Sequence, residues 1–309
     1  MSVGAALGRT IQLFLVDGKP TGLRKATIHG WTGLLFVSGA SAFGEMTARH
    51  EVDRTGVYIL AGPDPESPGG TRVYIGSGNS VAERIKQSAL KRDFWETAIT
   101  VTTSDDDLSK GHAEYLEARL IQVANDAGRV VLDNGTQPDT TRRRLPEADV
   151  ANMEQFLANL QVVLPVVGLD MLKPQPKAVT QTAKSVEERT SGETQFEIRH
   201  KSGVQATAVE EDGEFVVLEG SEALSDTGYV QNPGYASLKD KLVANGVLVS
   251  DGPGRMRFVK PWGFNSPSAA AAIILDQSSN GRERWKVKGS KQNYHEWQQA
   301  IAERQATAP

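Results

Sequence analysis

The sequence predicts an α+β protein built in two parts, and three observations carry that reading. Short apolar runs bounded by Gly, Pro, Asn or Asp are interleaved with longer stretches whose apolar positions recur at three- and four-residue spacings. A chain of 309 residues is roughly two domains long, at about one to two hundred residues each. From about Lys173 to Glu193 there is no aromatic residue and no large aliphatic beyond Val179 and Val186, among many Lys, Gln, Thr and Ser; such a stretch reads as a flexible linker. The expected organisation is an N-terminal β-rich segment over 1–50, a second domain over 51–170, a linker over 171–193 and a separate small α+β domain over 194–305.

In chain order, Ile11 to Val16, Ala26 to His29 and Leu34 to Val37 read as a small β-meander, with a turn over 17–22. Thr55 to Leu60 and Arg72 to Ile75 follow as strands separated by a Pro/Gly-rich loop too long for a tight hairpin turn. Ser80 with Glu83 three residues on predicts a capping box at a helix start. Thr97 to Thr102 is a further strand, 110–127 a helix ended by Gly128, and Pro146 to about Leu164 an amphipathic helix. Beyond the linker, strands are expected at Phe196 to Arg199, Ala206 to Val209 and Glu214 to Leu218, with a turn at Asp212-Gly213. A helix over Ser237 to Asn245 comes next, then strands at Phe258 to Trp262 and Trp285 to Lys288 that flank a helix capped by Ser266 with Pro267 at its first position.

Composition excludes several functions. With 39% hydrophobic and 23% charged residues the chain has material for real cores, so wholesale disorder is excluded. No run approaches the eighteen or so apolar residues that span a bilayer, and Ile11 to Val16 lacks the shape of a signal peptide, so a cytoplasmic chain without a membrane partner is expected. The absence of Cys removes disulfides, thiolate metal sites and thiol nucleophiles, and the five His are scattered without ligand spacing. The net charge of -4 hides an asymmetry: from Lys239 onward there are eleven basic against six acidic residues, so the acidic excess lies in the preceding 238.

The chemistry gathers in the second domain. On the 110–127 helix, Glu117 falls within a sector formed by Ala113, Leu120, Ile121 and Ala124, and a carboxylate in an apolar stripe is costly unless paired, hydrogen-bonded or bound to a cation. Tyr58 and Tyr74 have the same parity relative to the pairs Val57/Ile59 and Val73/Ile75, so pairing of the two strands puts both phenols on one sheet face. Gly76 and Gly78 allow a backbone to come close to that face, and Arg84 sits at the margin of the next helix's apolar side. Each of these features also has a structural reading, as a buried ion pair, a common strand residue or a turn.

The order Gly56-Val57-Tyr58, Tyr74-Ile75-Gly76, Arg84, Glu117 and Asn134 resembles the GIY-YIG nuclease family over about residues 55 to 135. The wider arrangement resembles a bacterial subgroup with a C-terminal domain of unknown function, its pattern visible in Gly234-Tyr235-Ala236-Ser237-Leu238 and Ser266-Pro267-Ser268-Ala269-Ala270. The resemblance implies a three-stranded antiparallel sheet flanked by helices and metal-dependent hydrolysis of DNA phosphodiester bonds. By position, Glu117 would bind one divalent cation, Mg²⁺ or Mn²⁺, and Arg84 would hold a nonbridging phosphate oxygen. Tyr58 would assist deprotonation of the attacking water, Tyr74 would position water or phosphate, and Asn134 would buttress the site. Two positions depart from the family pattern: Ser77 stands where many members have Lys, and Ser88 where many have His or Tyr. Proton removal then falls to Tyr58 or to solvent, and a phenol needs its pKa lowered for that task.

The C-terminal domain adds a second expectation. A strand through Arg282, Arg284, Lys286 and Lys288 would line four cations along one face over about 20 Å, a spacing suited to a phosphate backbone. Arg255 and Arg257 extend this patch, and Arg142-Arg143-Arg144 sits just after the stretch of about 55 to 135 that carries the resemblance. The alternatives to a nuclease are a catalytically impaired fold that binds nucleic acid without cutting it, and an interaction scaffold whose basic C-terminal face meets an acidic protein partner.

Overall fold

The computed structural model describes residues 8–65, 70–135, 145–174, 194–211, 213–225 and 233–306. The chain is mixed α+β and divides into two compact units, residues 1–174 and 175–309. The linker stretch 175–193, Asp212 and the arginines at 142–144 lie outside the described residues. Among the described residues no helix is long and apolar enough to cross a membrane.

The first unit is organised by one seven-stranded sheet. Its strands are β1 (Ile11–Leu15), β2 (Arg24–Ile28), β3 (Gly33–Gly39), β4 (Gly56–Pro63), β5 (Thr71–Gly78), β6 (Thr97–Thr103) and β7 (Val131–Leu132), in the spatial order β1-β2-β3-β6-β4-β5-β7. All neighbours are antiparallel except β7, which runs parallel to β5. The expected three-stranded sheet is present only as the β6-β4-β5 centre of this larger one, and the meander is not a separate layer. The reason lies in β3, whose residues Gly33 to Ser38 are all buried. A strand apolar on both faces cannot stay at an edge, and it pairs with β6 from Gly33↔Thr103 to Gly39↔Thr97.

Helices cover both faces. On one lie α1 (Phe43–Thr47) and α2 (Val81–Ala89), packed on Leu34, Phe36, Leu60 and Ala98. On the other lie α3 (Lys110–Ala127) and α4 (Glu147–Val166), whose Leu116, Leu120, Phe156, Leu160 and Leu164 bury Val57, Ile59, Val73 and Ile75. The period of two along β4 and β5 therefore assigns each residue to one of two cores.

The helix ends are fixed by specific bonds. The Ser80 hydroxyl accepts from the Glu83 amide at 3.2 Å, the first half of the expected box, and itself donates to Asp53 at 2.5 Å. The complete capping box is on α3: Ser109 Oγ accepts from the His112 amide at 3.2 Å and His112 Nδ1 accepts from the Ser109 amide at 3.3 Å. His112 also lies 3.5 Å from Asp149, which ties the start of α3 to α4. At the far end Gly128 takes the left-handed conformation, φ 61°, as the sequence predicts.

The second unit holds a five-stranded antiparallel sheet formed by β8 (Gln195–Arg199), β9 (Gln205–Glu211), β10 (Glu214–Val217), β14 (Trp262–Phe264) and β15 (Lys286–Val287), in the order β14-β10-β9-β8-β15. A three-stranded sheet follows the order β11 (Glu222–Leu224), β13 (Arg255–Phe258), β12 (Leu248–Ser250). The helices are α5 (Pro233–Ala244), α6 (Pro267–Leu275), α7 (Gly281–Arg284) and α8 (Tyr294–Ala306). Phe196, Phe215, Trp285, Tyr294 and Trp297 pack as one aromatic cluster. α6 is buried on all sides from Ala270 to Leu275, which is why it shows no polar face. Lys239 donates to the Leu224 carbonyl at 2.7 Å and pairs with the buried Asp276.

The capping box gives a direct test. Ser109→Ala is expected to lower stability in urea denaturation by about 1 kcal/mol, the usual cost of losing an N-cap acceptor.

Candidate active site

The register of β4 with β5 decides where the phenols go. Tyr58 lies opposite Gly76 and Leu60 opposite Tyr74, so the tyrosines are diagonal neighbours on one face, with ring centroids 6.2 Å apart. A methyl group at Gly76 would overlap the Tyr58 ring, and one at Gly78 would overlap the stem of Arg84. The two glycines were expected to admit a backbone; what crosses them is a ring and an arginine side chain.

Glu117 arrives from the other face. α3 packs on the Val73/Ile75 side of β5, and Ser77, of the same parity, donates its hydroxyl to Glu117 Oε2 at 2.5 Å. Phenols and carboxylate can meet only where the outer edge of β5 is uncovered. There, β7 pairs with Arg72 and Val73, the Asp133 amide donates to the Val73 carbonyl, and Asn134 takes Ile75. Asn134 Oδ1 accepts from the Ile75 amide at 3.1 Å while its Nδ2 donates to the Ile75 carbonyl at 2.8 Å. Among the described residues the pairing on this side ends at Ile75, and a cavity of about 400 Å³ opens beside Gly76, Ser77 and Gly78.

Of the five residues that the sequence singles out, Tyr58, Tyr74, Arg84 and Glu117 line this cavity. Asn134 does not; it acts one residue back, as a side-chain substitute for a strand partner. Lys110 and Glu114 also line the cavity, 3.8 Å apart, and were missed. The signal was available: 110, 114 and 117 are spaced four and three apart and form one stripe on α3.

The electrostatics set the two key groups in unusual states. Burial, reinforced by Glu114, pushes the Glu117 carboxyl above its ordinary value, while the Ser77 hydroxyl and the Arg84 charge act to lower it. Tyr58 is fully buried, and its hydroxyl is hydrogen-bonded to that of Ser88 at 2.8 Å. Burial pushes this phenol up to about 12, against the smaller lowering effects of Ser88 and Arg84. The base role expected of Tyr58 needs a shift in the opposite direction, so the phenol keeps its proton at neutral pH and Ser88 serves as its tether. Tyr74 is held from behind: the Arg92 guanidinium lies 3.3 Å from its ring centroid and is paired with Asp133 at 2.7 Å.

Whether a divalent cation fits follows from the donor set. The side chains around Glu117 offer carboxylate, hydroxyl and phenol oxygens, with no His or Cys in the cavity lining. Among the described residues no group of three or more His, Cys, Asp or Glu could hold a metal alone. The arrangement suits Mg²⁺, which binds through one or two carboxylates and otherwise keeps water and substrate phosphate.

The C-terminal basic residues depart from expectation. Arg282 and Arg284 are on helix α7, and only Lys286 of the four expected cations lies on a strand, so they do not line one strand face. Asn280 caps the α7 turn by accepting from the Arg282 amide, and Trp285 is anchored by its indole N–H to the Pro267 carbonyl at 3.0 Å. Together these bonds fix the turn in place of an extended run. Arg282 donates to Gln298 and Lys288 to Gln195. Arg255 and Arg257 do share a face of β13, but Glu222 lies 3.7 and 3.5 Å from them and Asp251 lies 2.5 Å from Arg257. Much of their charge is therefore answered within the unit.

Residues 196–298 match the family model of a domain of unknown function, DUF4357. That match lies within the second unit and is the part of the expected family arrangement that is found; the cavity residues lie outside it. No curated protein and no solved structure matches the chain.

The raised carboxyl of Glu117 has a measurable consequence. A carboxyl whose pKa is higher folded than unfolded costs stability above the folded value and nothing below the unfolded one. Glu117→Gln, which keeps an acceptor for Ser77, is expected to be more stable than the parent at neutral pH in metal-free buffer. The gap should close as pH falls through the raised value toward 4.5, as followed by thermal unfolding across pH.

Proposed function

We propose that the first unit is a metal-dependent endonuclease of GIY-YIG type that hydrolyses DNA phosphodiester bonds. The single observation that carries this reading is the convergence of Tyr58, Tyr74, Arg84 and Glu117 on one cavity from four elements and both faces of a sheet. Nothing in the packing of either core requires that a carboxylate, a guanidinium and two phenols share an opening.

Each side chain has a task its surroundings fit. Glu117, oriented by the Ser77 hydroxyl, would hold the divalent cation. When bound, that ion supplies charge neutralisation on the phosphate and on the leaving oxygen. Arg84, rooted beside Gly78 and exposed on α2, would grip a nonbridging phosphate oxygen and offset charge that develops in the transition state. Lys110 adds a second cation from α3, on the Glu117 side of the cavity, beside Glu114. Tyr74, fixed by Arg92, orients water or phosphate. Tyr58 retains its proton and donates or stacks, so the proton of the attacking water passes to solvent.

The test is nicking of supercoiled plasmid with Mg²⁺ or Mn²⁺. Arg84→Ala is expected to slow cleavage by about 10²–10³-fold, in line with loss of one transition-state donor. Glu117→Ala should abolish metal-dependent cleavage, and Mg²⁺ should raise the Tm of the parent but not of Glu117→Gln. Nicking unchanged in both variants would end the assignment. The buried, tethered Tyr58 favours a second reading, a fold that binds nucleic acid without cutting it, and salt-sensitive binding with no product under either metal would select it.

A further inference from the structure

The arginines along the outer edge of β5 are answered by carboxylates: Arg72 pairs with Asp64 at 2.8 Å and Arg92 with Asp133 at 2.7 Å. The helix beside that edge is not. Arg84, Lys86 and Lys91 are exposed, and among the described residues none of them forms an ion pair. Residues 81–91 thus carry three cations against Glu83 alone, a local reversal of sign in the acidic part of the chain.

The helical turn continues past Ala89, since the Leu90 amide donates to the Lys86 carbonyl and the Lys91 amide to the Ser88 carbonyl, each at 3.2 Å. Advancing about 100° per residue, Gln87 and Lys91 fall within about 60° of Arg84, whereas Lys86 lies about 160° away on the other side of the exposed surface. The stripe of Arg84, Gln87 and Lys91 borders the outer edge of β5: Arg84 crosses Gly78, and Arg92, next to Lys91, reaches Tyr74 and Asp133. Its first member lines the cavity. Arg84 Nη1 donates to Gln87 Oε1 at 3.2 Å, which steadies the guanidinium and leaves the Gln87 amide nitrogen as a donor. From Arg84 to Lys91 the stripe runs about 10 Å, the span of a few nucleotides of one strand. All three side chains donate hydrogen bonds, and a chain of phosphates is the ligand that presents one anion per nucleotide along such a line.

We propose that this stripe of α2 is the path by which the sugar–phosphate backbone of a DNA strand leaves the cavity, with Arg84 on the phosphate at the cavity, Gln87 donating beside it and Lys91 on a phosphate further along. The inference rests on the reading of the cavity as a nuclease site, which fixes where the path begins.

Fluorescence anisotropy of a short labelled DNA duplex, with the full chain in EDTA so that nothing is cut, should show affinity falling linearly with salt on logarithmic axes. Lys91→Ala should weaken binding several-fold and reduce the magnitude of that slope by about 0.9, the loss of one phosphate contact, equally for unrelated duplex sequences. Lys86→Ala removes the same charge from the same helix and should leave affinity and slope nearly unchanged. Gln87→Glu keeps the acceptor for Arg84 but sets a carboxylate in the path, and should also weaken binding, with circular dichroism unchanged in all three variants. No salt-dependent binding by the parent, a slope indifferent to Lys91→Ala, or equal losses from Lys86→Ala and Lys91→Ala would overturn the path. Plasmid nicking with Mg²⁺ separates the two readings. Binding that follows this pattern without nicking keeps the path and removes the enzyme, while nicking by a chain whose binding ignores Lys91 keeps the enzyme and removes the path.

Discussion

The cavity depends on how far the outer edge of β5 is covered. The Asn134 amide satisfies both peptide groups of Ile75, the last position before the glycines, and does so without a strand's worth of chain. A longer β7 would run over Ser77 and close the opening. Without Asn134, two polar groups of a buried residue would lack those bonds, a cost of about 1–3 kcal/mol each. Among the described residues one side chain thus ends the pairing along this edge and leaves room for the groups that follow.

Burial acts on Tyr58 and Glu117 in the same direction and with different consequences. It keeps Tyr58 protonated, a state that its bond to Ser88 accommodates, since a hydroxyl can donate or accept. It makes the charged form of Glu117 costly, and the Ser77 hydroxyl offsets only part of that cost. Ser77 and Ser88 therefore have clear places in this chain: one steadies the carboxylate and the other holds the phenol. Both positions are filled by residues that orient others and do not ionise themselves.

Much of this was legible in the sequence. Parity alone put Tyr58 and Tyr74 on one face, and helix periodicity put Glu117 in an apolar stripe, because both follow from local geometry. The α3 boundaries were readable from Gly128 and the position of Lys110, though its cap was not, since His112 replaces the Glu or Gln expected in a capping box. Sheet order was not legible. That β3 joins β6 rests on contacts between residues about sixty to seventy positions apart, from Gly39↔Thr97 to Gly33↔Thr103, and nothing within either segment names its partner. The basic run at 282–288 was misread because its alternation fits a strand, while the structure is set by Asn280 and by the tether from Trp285 to Pro267, a residue eighteen positions away.

The fixing of α3 at both ends has a consequence for how the chain tolerates change in length. The helix is pinned at its start by the Ser109–His112 pair and stopped by the left-handed Gly128, so its residues cannot slide to absorb an insertion. One extra residue between Ser109 and Glu117 would carry the carboxylate about 100° around the axis, away from Ser77. Additions are then confined to segments outside those two stops. The eight residues from Ser109 through Leu116 must keep their number.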